Sequence, residues 1–169
     1  MAVTAIITGT FDPVHKGHLL IISRAAAVFQ KVVVAVADSH YKNELFSVEV
    51  RTAAVKAAVG RMQNVEVAVC EGLVADFCEK YESPLIVRGA RNGSDFEYEL
   101  GLSKINSEIS SAVTAAGGRL DTVVFPADPE FAHISSTFIR ELIKYGRDYS
   151  AYLPAESARI IEEALKKSK

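Results

Sequence analysis

Short apolar runs alternate with stretches of helical spacing along the whole chain. Ala5-Ile6-Ile7 predicts a first strand, and the apolar positions of residues 19–28 predict a first helix. Residues 32–37 (VVVAVA) are continuously apolar and rich in β-branched side chains, the pattern of a strand buried on both faces. Residues 48–59 have helical spacing, 65–69 (VEVAV) predict a third strand and 73–81 a helix. A fourth strand is predicted over 84–87, with Pro84 at its start, where a missing N–H does least harm. Residues 94–112 predict a long helix, 121–125 a fifth strand, and 135–145 and 154–167 two more helices. The stretch 110–119 ends in Gly117-Gly118, a stop signal, and is read as a helix end followed by a mobile loop.

This alternation predicts an α/β protein: a Rossmann-like, doubly wound, five-stranded parallel sheet with helices on both faces. Ligands of such sheets lie at the carboxyl ends of the strands, at the topological switch point. Polar or charged clusters fall just after three strands, at 9–18 after the first, 38–42 after the second and 88–91 after the fourth. We expect one domain over 1–169, since no linker, repeat or low-complexity tract interrupts the pattern.

Composition changes this picture little. A formal net charge of −2 argues against a general nucleic-acid binder, which is usually basic. Cys70 and Cys78 are too far apart for a CxxC motif and read as reduced apolar thiols. No run approaches membrane-spanning length, and the first residues lack a basic region followed by a long apolar one, so we expect a cytoplasmic protein.

The chemistry concentrates at the first strand end. Gly9-Thr10-Phe11-Asp12-Pro13-Val14-His15-Lys16-Gly17-His18 lies where a strand ends and a helix begins. Free N–H groups and the helix dipole favour an anion there, and Gly17 lets a phosphate approach the backbone. His15 and His18 can be read as zinc ligands, as structural residues or as phosphate donors. No neighbouring Cys or Glu completes a metal set, so phosphate contact is the better reading.

Arg88-Gly89-Ala90-Arg91 offers two guanidiniums immediately after the fourth strand, suited to multidentate phosphate contacts. In the acidic run that follows, Asp95 and Glu99 share a helical face and can hold an Arg, a ribose or a metal-bound water. Ser135-Ser136-Thr137 opens a helix as a second anion site, with Ser135 or Ser136 as its cap. Lys42 is a single loop lysine that gains weight from the clusters at the other strand ends.

GTFDPVHKGH and ISSTFIRE together resemble the HxGH nucleotidyltransferase superfamily. RGARNGSDFEYE, with Asn106 further along the same helix, resembles bacterial phosphopantetheine adenylyltransferase, and the likeness runs from about residue 3 to 160. The resemblance implies transfer of the adenylyl group of ATP to 4′-phosphopantetheine, giving dephospho-coenzyme A and pyrophosphate. It implies His18 as the transition-state stabiliser at the α-phosphate, with Thr10 and Lys42 positioning the reacting phosphates and Arg88 near the phosphopantetheine phosphate. Phe11, Gly89, Ala90, Arg91, Glu99, Ser135, Ser136 and Thr137 are implied on the ATP side, with Arg91 also counted as catalytic. Leu73, Val74 and Asn106 are implied along the pantetheine arm. Mg²⁺ is expected to arrive with ATP rather than in a protein cage, and a homohexamer is implied.

The sequence departs from the family pattern in places. Ile7 and Thr8 stand where Tyr and Pro are common, and His15 where many members have Thr. Asn92-Gly93 replaces a more apolar pair, 110–120 looks longer than usual, and Phe131, Ala132 and His133 differ from the usual Trp, Ser and aromatic. Rival readings are a nicotinate-mononucleotide adenylyltransferase, a polyol-phosphate cytidylyltransferase and a non-catalytic nucleotide-binding protein.

Overall fold

The computed structural model describes residues 2–38, 44–112 and 117–167. The elements alternate throughout: β1 (Thr4–Gly9), α1 (Lys16–Val28), β2 (Lys31–Asp38), α2 (Val48–Val59), β3 (Val65–Glu71), α3 (Val74–Cys78), β4 (Pro84–Ala90), α4 (Gly93–Ile109), β5 (Thr122–Pro126), α5 (Ser136–Lys144) and α6 (Ala155–Lys167). A short 3₁₀ turn, Ser150–Tyr152, joins the last two helices and was not foreseen from the sequence.

The sheet is five-stranded and parallel throughout, in the order β3-β2-β1-β4-β5. It matches the expected Rossmann-like class. Alternation along the inner strands divides the core between two faces. Ala5, Ile7, Val32, Val34 and Val36 pack with Ile22, Val55 and Ile161 on one side. Ile6, Val33, Ala35 and Ile86 pack with Phe77, Cys78 and Leu120 on the other. Both cysteines are buried free thiols, and burial pushes the Cys78 thiol up to about 12, which keeps it protonated.

Several boundaries differ from the sequence reading, and α1, for one, begins at Lys16 rather than at 19. Arg88, Gly89 and Ala90 do not follow the fourth strand but form its last residues, paired with Val124, Phe125 and Pro126 of β5. The helix expected over 73–81 is shorter, because α3 ends at Cys78. The long helix stops at Ile109, three residues early, where Ser110 takes an extended conformation. Of the loop expected over 110–119, residues 113–116 lie outside the described residues.

The chain leaves β1 toward β2 and β3 on one side and returns to β4 and β5 on the other. The switch point is therefore the crevice between the carboxyl ends of β1 and β4. The β1–β4 ladder ends at Ile7 and Val87, so the two strands part beyond that pair.

Candidate active site

A cavity of about 440 Å³ opens at this switch point. Its floor is the end of β1 and β4, and α1, α4 and α5 present their first turns to it. Helix starts carry unpaired N–H groups and the positive end of the dipole, so the crevice suits an anion.

Two imidazoles build the first of these helix starts. His15 is the N-cap of α1, and its Nδ1 accepts the His18 backbone N–H at 3.3 Å. The His15 backbone N–H donates to His18 Nδ1, also at 3.3 Å. This is a capping box made from two histidines rather than from Ser and Glu. The rings stack at 3.6 Å between centroids. Each Nδ1 is an acceptor, so each neutral ring carries its proton on Nε2. Burial, reinforced by Arg91, lowers His15 to about 4. Burial also holds His18 well below its usual range, reinforced by His15, Arg88 and Arg91. Both rings are thus neutral donors near pH 7.

The glycines here make room for rings. A Cβ on Gly17 would stand 3.1 Å from the His15 ring, so the position serves the imidazole as well as any phosphate. A Cβ on Gly9 would come within 3.0 Å of the Phe11 ring. Phe11 is buried, holds a positive φ of 51°, and meets the His18 ring edge-on at 4.9 Å.

The arginines are held by carboxylates of α4. Arg88 gives a bidentate pair to Glu99, Nε to Oε2 at 2.7 Å and Nη2 to Oε1 at 2.9 Å. Its Nη1 donates to the Thr8 carbonyl and hydroxyl at 2.5 and 2.7 Å. Arg91 Nε donates to Asp95 Oδ2 at 2.9 Å, and this bond lowers the Asp95 carboxyl below its ordinary value. Of the roles left open for Asp95 and Glu99, the structure shows each holding an arginine.

The third helix start belongs to α5. Ser135 is its cap, accepting the Phe138 N–H at 3.1 Å. Ser136 instead donates from Oγ to the Pro13 carbonyl at 2.9 Å, tying α5 to the loop after β1. Arg140 reaches the same loop through the Asp12 carbonyl at 2.7 Å.

Thr10, Phe11, His18, Ser135 and Ser136 line the cavity, together with Arg88, Gly89, Arg91 and Glu99. Ala90 lies just behind, its carbonyl accepting the Ala127 N–H. Thr137 receives Arg140 Nη2 at 3.1 Å rather than lining the cavity. Leu73 caps the start of α3 and is exposed, Val74 follows it, and Asn106 sits on α4. None of the three lines the cavity, although α3 packs against α4. Lys42 lies outside the described residues. Among the described residues no group of three or more His, Cys, Asp or Glu side chains is arranged to hold a metal ion.

Sequence reasoning missed two buried polar residues that hold the site. Arg51, 1% exposed, donates to the carbonyls of Phe46, Thr10 and Ala37 at 3.0, 2.8 and 2.7 Å, joining the ends of β1 and β2 to the start of α2. Its signal was available: Arg51 falls at helical spacing with Val48, Val55 and Val59, a charge on an apolar face. Asp12 accepts the Leu45 and Phe46 N–H groups at 2.8 and 3.0 Å, and no local pattern announces that contact.

A parallel sheet in this order, with two imidazoles at the first helix start and arginines across the crevice, is the frame of a nucleotidyltransferase. Residues 6–142 match the cytidylyltransferase-like family, and the chain belongs to it. It is 40% identical over 154 residues to the phosphopantetheine adenylyltransferase of Actinobacillus pleuropneumoniae serotype 3 (strain JL03), covering 91% of this chain and 93% of that protein. It is 40% identical over 163 residues to that of Limosilactobacillus reuteri (strain DSM 20016), covering 96% and 88%. Within the wider family, the chain belongs to the phosphopantetheine adenylyltransferases. A crystal structure from Vibrio parahaemolyticus, described as a nicotinate-nucleotide adenylyltransferase, superposes with a TM-score of 0.70 at 21% identity, over 96% of this chain and 93% of that one. That likeness speaks to the fold alone.

Proposed function

We propose that this enzyme transfers the adenylyl group of ATP to 4′-phosphopantetheine, releasing pyrophosphate and forming dephospho-coenzyme A. The observation that carries the chemistry is the neutral His18 ring, fixed as an Nε2–H donor at a helix start inside the switch-point cavity. In this reading a phosphate oxygen of the acceptor attacks the α-phosphorus of ATP in line. The bond to the bridging oxygen breaks, and pyrophosphate leaves with the electron pair. No side chain becomes covalently attached, so the protein's work is positioning and electrostatic stabilisation.

His18 donates to the α-phosphate as charge develops. Arg91, steadied by Asp95, faces the same phosphates, and the N–H groups at Ser135 and Ser136 hold the β- and γ-phosphates. Arg88 and Thr10 face the acceptor's phosphate. Lys42 joins the reacting phosphates, and Leu73, Val74 and Asn106 the pantetheine arm, on the family resemblance. The lining carboxylates Asp95 and Glu99 are occupied by arginines, so this donor set suits Mg²⁺ delivered on ATP rather than a protein-held ion. No helix among the described residues is long and apolar enough to cross a membrane, and we place the enzyme in the cytoplasm. We also assign it a homohexameric assembly, supported by the uncovered apolar side chains of α4.

The test is acceptor-dependent pyrophosphate release from the purified protein, with ATP or CTP as donor and phosphopantetheine or nicotinate mononucleotide as acceptor. Release should require ATP with phosphopantetheine. Equal or faster release with the mononucleotide would overturn the acceptor assignment.

A further inference from the structure

Arg88 has less to offer a phosphate than its place in the cavity suggests. Hydrogen bonds already occupy four of its five N–H groups, two to Glu99 and two to Thr8. Glu99 is buried and paired bidentately, so its carboxylate cancels the guanidinium's charge from within. A phosphate arriving here meets a neutral ion pair, and recognition falls to oriented donors.

Thr8 supplies such a donor. It is the first β1 residue past the end of the β1–β4 ladder, still paired to Ala35 of β2 but facing the crevice on its other side, and it lines the cavity. Its hydroxyl oxygen accepts from Arg88 Nη1 at 2.7 Å. That bond occupies the acceptor side and leaves the hydroxyl proton to point elsewhere. Among the described residues no hydrogen bond uses Thr8 Oγ1 as donor. A proline at this position would keep the carbonyl that Arg88 also uses but would have no hydroxyl.

We infer that Thr8 is a further contact for the acceptor's phosphate, its hydroxyl held by Arg88 so that the proton is presented to the cavity. The inference rests on the adenylyl-transfer reading above. One hydrogen bond to a charged oxygen typically changes affinity roughly ten- to hundredfold.

The experiment is calorimetric titration of the full-length protein with 4′-phosphopantetheine and, separately, with pantetheine, which lacks the phosphate. Thr8→Val should weaken phosphopantetheine binding by about ten- to hundredfold and leave pantetheine and ATP binding unchanged. Thr8→Ser should restore parent-like affinity. Parent-like phosphopantetheine binding by Thr8→Val overturns the inference, as does an equal loss for both ligands, which marks Thr8 as a shaper of the pocket. If Thr8→Val fails a thermal melt, Thr8→Ala against Thr8→Ser carries the same comparison. The parent protein tests the underlying reading: if it does not prefer phosphopantetheine over pantetheine, that reading falls and takes this one with it. If the parent shows the preference and the valine variant keeps it, only the role of Thr8 falls.

Discussion

Each of the two histidines has half of its hydrogen-bonding capacity consumed by the helix they begin. The shared cap fixes which nitrogen carries the proton, and burial keeps both rings uncharged near pH 7. His18 therefore meets its phosphate as a pre-set neutral donor with no proton to gain first. His18→Ala should lower turnover by roughly a hundredfold or more, the usual loss for one such donor, while ATP affinity changes far less. Steady-state kinetics paired with ATP titration check this, and near-parental turnover would remove His18 from the mechanism. The residue types at this site were legible because His and Arg clusters stood at strand ends and a Ser cluster at a helix start. Their partners were less so. Thr8 and Arg88 are 80 positions apart, and Asp12 and Leu45 are 33 apart, so nothing local announces either contact.

At the scale of elements, α5 joins helix capping to ligand binding while keeping the two on different residues. Ser135 caps, and Ser136 ties the helix to Pro13 and faces the cavity. Ser136→Asp leaves the cap in place but puts a negative charge where the nucleotide phosphates are assigned. It should fold, with a modest loss for the Pro13 bond of about 1 kcal/mol, and lose most ATP binding. Ser136→Ala shares the first loss and should bind ATP much better. Titration with ATP beside a thermal melt decides it, and an Asp variant that binds ATP like the parent would leave the segment as a cap and tether only. Among the elements, α2 was read from spacing with its observed bounds, since its apolar face is regular. The end of β4 was not, because Arg88-Gly89-Ala90 becomes strand only through pairing with β5, a contact absent from the local pattern. The early stop of α3 was likewise hidden, because Tyr81 stands at helical spacing from Phe77 and Cys78 beyond the helix end.

At the scale of the molecule, α4 is thinly covered. Glu99 is its one buried residue, while Tyr98, Ile105 and Ile109 lie along one exposed stripe at helical spacing. A 17-residue helix that buries only Glu99 and shows an apolar stripe is expected to be covered by other copies of the chain. The chain mass is 18.3 kDa, and sedimentation of the parent should give about six times that value. The double variant Ile105→Glu with Ile109→Glu should sediment as smaller species at an unchanged far-ultraviolet spectrum. A parent that sediments as a monomer would contradict the assembly.

The pairing of Arg88 with Glu99 and of Arg91 with Asp95 has a consequence beyond local geometry. With both histidines uncharged, these fixed groups project almost no net field beyond the mouth of the cavity, and the chain as a whole is slightly negative. Enzymes that gather anions from a distance display uncompensated positive charge, and their capture rates fall steeply as salt is added. Judged by these groups, this cavity is not such a funnel. What these groups contribute is selection among anions on contact, through the directions of a few N–H and O–H bonds, rather than capture from a distance.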